Sequence, residues 1–271
     1  MALSPGGQSD LRRLDLGDAI HDGWRAFCRA PWSFVGFALL LTALQILLQP
    51  LQDQVLRATR GDAIGPADWL LLVVGFTLSF AVSCWGTVGM VRAAWGALAG
   101  ERPTFASLLR WDGPGFQRVF MAWMALSSLL FVPVLLFLMA MAGGTGLALM
   151  LERGGASLRD ASLTLPILLV GVLLLLLLGL VVAVFIYCAV NQQCLAQIAL
   201  LEDQGAMAAV QRGRRLLDPQ WPLLLLLLLI KGLVLVGGVI TFGLGLLVAW
   251  PVSCCITTAA YRQLASDTRP A

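Results

Sequence analysis

Charge is scarce in this chain. Asp, Glu, Lys and Arg make up 12% of its 271 residues, about half the share carried by an ordinary soluble domain. The one lysine is Lys231 and the one histidine is His21. A formal net charge of +3, spread over several loops, gives no footprint for nucleic acid. His21 stands beside Asp22 with no nucleophile and no second metal ligand near it in the sequence, and reads as a solvated surface residue. The six cysteines, Cys28, Cys84, Cys188, Cys194, Cys254 and Cys255, show no C-x-x-C spacing. They lie mostly inside or beside apolar runs and read as small apolar residues. No Asp or Glu falls within an apolar run, so the carboxylate relay of a proton-coupled pump is missing. The first 24 residues have no apolar core and hold four aspartates by Asp22, so they match neither a secretory signal nor a transit peptide. With no catalytic, cofactor-binding or metal-binding signature left, the expectation is a non-enzymatic protein without a cofactor.

What the chain does have is apolar length. Hydrophobic residues make up 59% of it. Several runs approach the roughly 20 residues needed to span a hydrocarbon core about 30 Å thick. A backbone in lipid must satisfy its own hydrogen bonds, so these runs predict an all-α, polytopic membrane bundle. Six transmembrane helices are expected: Trp32 to Leu51, Trp69 to Met90, Val119 to Ala142, Leu163 to Val190, Trp221 to Ile240 and Leu244 to Tyr261. Only "TFG" separates the last two, and Gly237, Gly238, Gly243 and Gly245 around it favour a tight hairpin over one long helix. Residues 18–264 form a single membrane domain in this reading, with a flexible tail at 1–17 and a short one at 265–271.

Arginine placement sets the orientation. Thirteen arginines fall on one side: Arg12, Arg13, Arg25 and Arg29 before the first span, Arg92, Arg102, Arg110 and Arg118 in the second loop, Arg212, Arg214 and Arg215 in the fourth, and Arg262 and Arg269 at the end. The other side has four: Arg57, Arg60, Arg153 and Arg159. The positive-inside rule then puts both termini in the cytoplasm, as expected for a multi-pass membrane protein.

A short proline-containing segment precedes each pair of spans: "DAIHDGWRAFCRAPW", "TFASLLRWDGPGF" and "GAMAAVQRGRRLLDPQW". In the third, Ala206, Val210, Gly213 and Leu217 share a helix face opposite Gln211, Arg212 and Arg215, the pattern of an interfacial helix with arginines toward headgroups. "AVSCWGTVGMVR" and "PVSCCITTAAYR" share Val-Ser-Cys and a closing arginine, and Cys188 falls in register with Cys84. Three helix-plus-hairpin repeats, parallel and related by rotation about the membrane normal, are therefore expected.

Two stripes of small residues stand out at i+4 spacing: Gly75, Ser79, Ser83 and Thr87 on the second span, and Gly245, Ala249, Ser253 and Thr257 on the sixth. Small faces let helix backbones approach closely in a bilayer, so helix packing is the expected role, with a polar solute path as the alternative. Pro133 and Pro251 would bend the third and sixth spans. Asn191, Gln192 and Gln193 either close the fourth span or line a vestibule.

Lys231 is the residue most in need of explanation. A charge at a helix centre costs about 2.5–3.5 kcal/mol to insert, while the fourteen Leu, Ile and Val residues of Trp221 to Ile240 return roughly 4–8 kcal/mol. Insertion is thus tolerated. The side chain must snorkel, bond to another span or face water, and Gly232 beside it offers a place for a neighbouring helix to approach. It is the one candidate functional residue within a span.

The segment from "LEDQGAMAAV" to "CCITTAAYRQL" resembles the C-terminal part of a YciC-like group of uncharacterised bacterial membrane proteins, and the similar membrane domain attached to some glycerophosphodiester phosphodiesterases. Asp203 and Gly205, the Ala-rich amphipathic helix, Gly243 and Gly245, Pro251, Tyr261 and Leu264 carry the likeness, which covers roughly the last 65 residues. No phosphodiesterase domain accompanies them, so the resemblance implies a membrane fold and no activity. The expected function is a membrane-embedded scaffold or partner-binding component, in contact with lipid and with a membrane-protein partner or a second copy. A carrier or channel for a small or lipid-like solute is the alternative.

Overall fold

A computed structural model describes residues 14–53, 65–153, 161–241 and 243–266, with side-chain surroundings described outside 145–167. The described residues are helical throughout, joined by short turns: α1 (Leu16–Cys28), α2 (Pro31–Gln52), α3 (Pro66–Leu98), α4 (Phe105–Leu109), α5 (Gly113–Arg153), α6 (Ala161–Asn191), α7 (Leu195–Leu201), α8 (Ala206–Leu217), α9 (Trp221–Ile240) and α10 (Leu246–Ser266). Pro31, Pro66 and Pro222 occupy the first turns of α2, α3 and α9, where their missing N–H costs no helical hydrogen bond. Residues 1–13 and 267–271, the loop arginines Arg57, Arg60 and Arg159, and Phe242 of the last hairpin lie outside the described residues.

Five segments are long and apolar enough to cross a membrane: Pro31–Gln52, Pro66–Leu98, Gly113–Gly144, Leu168–Leu201 and Ala206–Ile240. Leu136, Met139, Leu173, Leu176, Leu233 and Ile240 are all more than half exposed along them, a surface suited to lipid and costly in water. Helix α10 is not among the five. It packs against α1, α2, α3 and α9, and a helix enclosed by protein on several sides has little lipid to match. Ser253, Thr257 and Thr258 are buried within it at 5% exposure or less.

Several helices outrun the apolar windows read from the sequence. Helix α3 has 33 residues, about 50 Å at 1.5 Å per residue, and continues past Met90 to Leu98. Hydropathy locates hydrocarbon, whereas a helix continues for as long as it has something to pack on. Ala93, Ala94 and Ala97 are buried in that extension. The ordered domain also reaches further toward the N-terminus than residue 18: Leu14 is buried, its N–H donates to Gln220 Oε1 at 2.8 Å, and Asp15 caps α1 by accepting from the Asp18 N–H.

The core sits at one end of the bundle. Phe34 and Phe37 of α2, Val91 of α3, Leu108 of α4, Ile198 of α7 and Tyr261 of α10 are buried there together with the inner face of α1. At this end Asp15 N–H donates to Gln263 Oε1, so the two ends of the described chain meet. Helix α1 lies tightly on α10: a Cβ added to Gly23 would stand 2.6 Å from Ile256 Cα. Helix α4 lies as closely on α3, where a Cβ on Gly89 would meet the Leu108 carbonyl at 2.6 Å.

Helix α3 ends in a Schellman turn. Gly100 takes φ +102°, its N–H reaches Ala97 O, and Glu101 N–H reaches Gly96 O. Two arginines complete the cap. Arg29 donates to Ala97 O, and Arg262 donates to Leu98 O at 2.7 Å. Arg92 instead stands 3.7 Å from Asp112. The shared closing arginines of the two similar sequences thus do different work.

The α7–α8 turn is held by charge. Asp203, in the left-handed region at φ 54°, accepts from Arg118 of α5. Glu202 pairs with Arg212 at 3.2 Å and accepts from Tyr261 Oη at 2.9 Å. Arg212 therefore turns to Glu202, not outward to headgroups as the interfacial-helix pattern suggested. The buried face of α8 comprises Ala209, Val210, Gly213 and Leu217.

Candidate functional site

The stripe on α3 faces α2, and two glutamines meet it. Gln45 and Gln52 lie seven residues apart, two helical turns, on one face of α2. Gln52 Nε2 donates to Gly75 O and to Ser79 Oγ. Gln45 Nε2 donates to Ser79 O and to Ser83 Oγ, both at 3.0 Å. An amide in hydrocarbon is costly unless it is bonded, so the α3 stripe and the α2 glutamines account for each other. At Gly75 the helices nearly touch, since a Cβ would stand 2.7 Å from Leu51 Cβ.

Further along, the contact opens. Thr42, Gln45, Ser83 and Thr87 line a half-open groove of about 360 Å³, with Leu41, Val82 and Trp250 of α10 forming its apolar wall. Half of the α3 stripe is therefore a packing seam at Gly75 and Ser79, and half, at Ser83 and Thr87, is a polar wall. The groove lies near mid-length of both α2 and α3. Its size falls in the range of small-molecule pockets, roughly 300–1,000 Å³.

Most hydrogen-bond donors in this wall are already used. Thr42 Oγ1 donates to Ala38 O, Ser83 Oγ to Ser79 O, and Thr87 Oγ1 to Ser83 O. Both N–H bonds of the Gln45 amide go to Ser79 and Ser83. The acceptors are less used: Gln45 Oε1 and the Thr42 and Thr87 hydroxyl oxygens have open lone pairs. No lining side chain carries a charge.

The α10 stripe behaves differently. Gly245 packs on α9, where its added Cβ would be 2.7 Å from Gly238 Cα, and Gly243 at φ +77° makes the hairpin turn possible. Ala249, Ser253 and Thr257 are buried, Thr257 Oγ1 donates to Ser253 O, and the Ser253 hydroxyl has no partner.

Lys231 shares a face of α9 with the buried Leu224, Leu227 and Gly238. It is half-buried and lies within electrostatic reach of Cys194 and Cys254. The side chain thus faces the α7 and α10 side of the bundle. No helix approaches beside it at Gly232, where an added Cβ would meet nothing within 4 Å.

Asn191, Gln192 and Gln193 break the chain between α6 and α7 without ending its burial. Leu195 to Leu200 of α7 are all buried, an element the sequence reading did not distinguish. The break is pinned in three directions: Asn191 Nδ2 donates to Asp218 at 2.7 Å, Gln193 Nε2 to Leu224 O at 2.9 Å, and Gln197 Nε2 to Thr258 Oγ1 at 3.4 Å. Tyr187 Oη also donates to Asp218, and the Arg214 guanidinium lies 5.9 Å from the Tyr187 ring centre. The signal for this joint was the amide run followed by the apolar stretch "LAQIALL".

A second, smaller pocket of about 220 Å³ lies at the core end, lined by Arg92, Glu101, Arg102, Thr104 and Ser107 among others. His21 is exposed on α1. Among the described residues no three His, Cys, Asp or Glu side chains gather in a metal-binding group. Comparison with protein families, with curated proteins and with solved structures finds no match.

Proposed function

We propose that this is a non-enzymatic, multi-pass protein of the bacterial inner membrane that acts as a membrane-embedded scaffold, holding a partner at its core end. Six crossings, with α10 as the sixth, leave both termini in the cytoplasm, in keeping with the thirteen arginines counted on that side. The short helices α1, α4 and α8, each preceding two long ones, fit three helix-plus-hairpin repeats. The likeness to the YciC-like group favours the same architecture.

One observation carries the scaffold reading. The core end is a tied platform, with α1 laid on α10, α4 on α3, and Arg29 and Arg262 closing the end of α3. It also presents Trp111, 62% exposed, next to Asp112, which pairs with Arg92 of that pocket. A surface that is rigid, polar and aromatic suits protein recognition. The test places a photo-crosslinking side chain at Trp111, at Ser107 and at the lipid-facing Leu176 in growing cells. A discrete protein adduct from the first two sites and none from Leu176 is expected. Lipid adducts alone at all three sites would sink the reading.

The groove between α2, α3 and α10 favours a second reading, a carrier for a lipid-like solute. That reading requires the groove to become accessible from both sides of the membrane, which cysteine labelling at Thr42 from each side would measure.

A further inference from the structure

We infer that the groove between α2, α3 and α10 is a binding site for a neutral, hydroxyl-bearing lipid, such as a diacylglycerol or a long-chain alcohol. This holds whether the protein is a scaffold or a carrier.

In the groove the Thr42, Ser83 and Thr87 hydroxyls and both Gln45 N–H bonds are given to protein oxygens. What the lining leaves open is a set of acceptors, led by Gln45 Oε1 and the Thr42 hydroxyl oxygen. In water these lone pairs would be satisfied by solvent. At mid-length of the helices the surroundings are hydrocarbon, where an unmet acceptor costs free energy, so the groove is complementary to a molecule that brings its own donor.

Charge narrows the class. With no cationic side chain in the lining and its hydroxyl and amide donors given to protein oxygens, a phosphate or carboxylate would be desolvated without compensation. With no carboxylate in the lining, an ammonium would be too. A hydroxyl fits this lining, because its O–H can donate to Gln45 Oε1 and to the Thr42 hydroxyl oxygen beside it. Leu41, Val82 and the Trp250 ring then provide an apolar wall for the chain that follows, and the half-open side lets that chain remain in the bilayer.

The test uses the full chain in lipid nanodiscs with a long-chain alcohol carrying a photoreactive diazirine on its alkyl tail, compared with its methyl ether, its carboxylic acid and an unlabelled competitor alcohol. Labelled peptides are expected to cluster at Leu41–Gln45, Val82–Thr87 and Trp250. The alcohol should label about three- to tenfold more than the ether, the ratio set by one hydrogen bond. Gln45→Leu should erase that preference. Because that variant also removes contacts to α3, Thr42→Val serves as the second: its lost hydroxyl donates only within α2, so folding is kept while the alcohol preference falls. Equal labelling by alcohol and ether, or labelling spread over the exposed faces of α5 and α6, overturns the assignment. So does efficient disulfide crosslinking between two copies carrying Thr42→Cys, which would make the groove a contact between chains.

Discussion

Arg29 and Arg262, from opposite ends of the chain, donate to the adjacent carbonyls of Ala97 and Leu98 at the end of α3. The last carbonyls of a helix have no partner within it and carry the negative end of its dipole, so two guanidiniums there are well placed. Arg29→Met and Arg262→Met should each lower stability by about 0.5–1.5 kcal/mol, and Arg262→Lys should recover part of the loss. Thermal unfolding in detergent or nanodiscs measures it. Melts like the parent for both methionine variants would show the caps to be idle.

Close backbone approach makes a sharper prediction at Gly23. A Cβ there meets Ile256 Cα at 2.6 Å, and backbone cannot swing aside as a side chain can. Gly23→Ala should destabilise by about 1–3 kcal/mol and expose α1 to limited proteolysis. Gly232→Ala, in open space, should show no loss.

Ser83 and Ser253 hold matching places in two similar stripes, but their surroundings differ. Ser253 is buried at 5% exposure while Ser83 opens onto the groove. Ser253→Leu should lower folded yield sharply, at a cost of about 1–3 kcal/mol. Ser83→Leu should fold and fill the groove instead. Comparing monodisperse yield and melting for the pair decides this, and equal losses in both would contradict it.

Lys231→Met should keep abundance and topology. A half-buried ammonium facing protein, with no carboxylate partner among the described residues, has a solvation cost that a methionine of similar length does not. A melting temperature well below the parent's would show that the ammonium makes a structural bond.

Six crossings predict that a reporter joined after Arg153 reads outside and one joined after Arg214 reads inside. Finding Arg214 outside would overturn the six-span arrangement.

The helices themselves were legible in the sequence because apolar length is a local property, and the last hairpin was legible because glycine punctuates it. The site was harder to read. Ser79 and Ser83 announced a polar stripe, but Gln45 and Gln52, which explain it, sit among leucines in "TALQILLQPLQ" and reveal their role only when α2 lies against α3. Asn191 to Gln193 read as the end of a helix, and α6 does end at Asn191, but the amides there meet Asp218 and Leu224 instead of water. The α10 helix shows the converse. Its weaker hydropathy reflects enclosure by other helices, which no single-helix window can register.

The bond between α1 and α10 also imposes a timetable on synthesis. More than 200 residues separate Gly23 from Ile256, so at 5–20 residues per second the first helix waits on the order of 10–50 s for the last. During that interval the face of α1 around Gly23 lacks its α10 partner, while Phe27 already meets Phe34 of α2. A ribosome stalled before α10 would release a chain whose earliest helix still lacks its main partner, a form that proteases can tell from the finished protein.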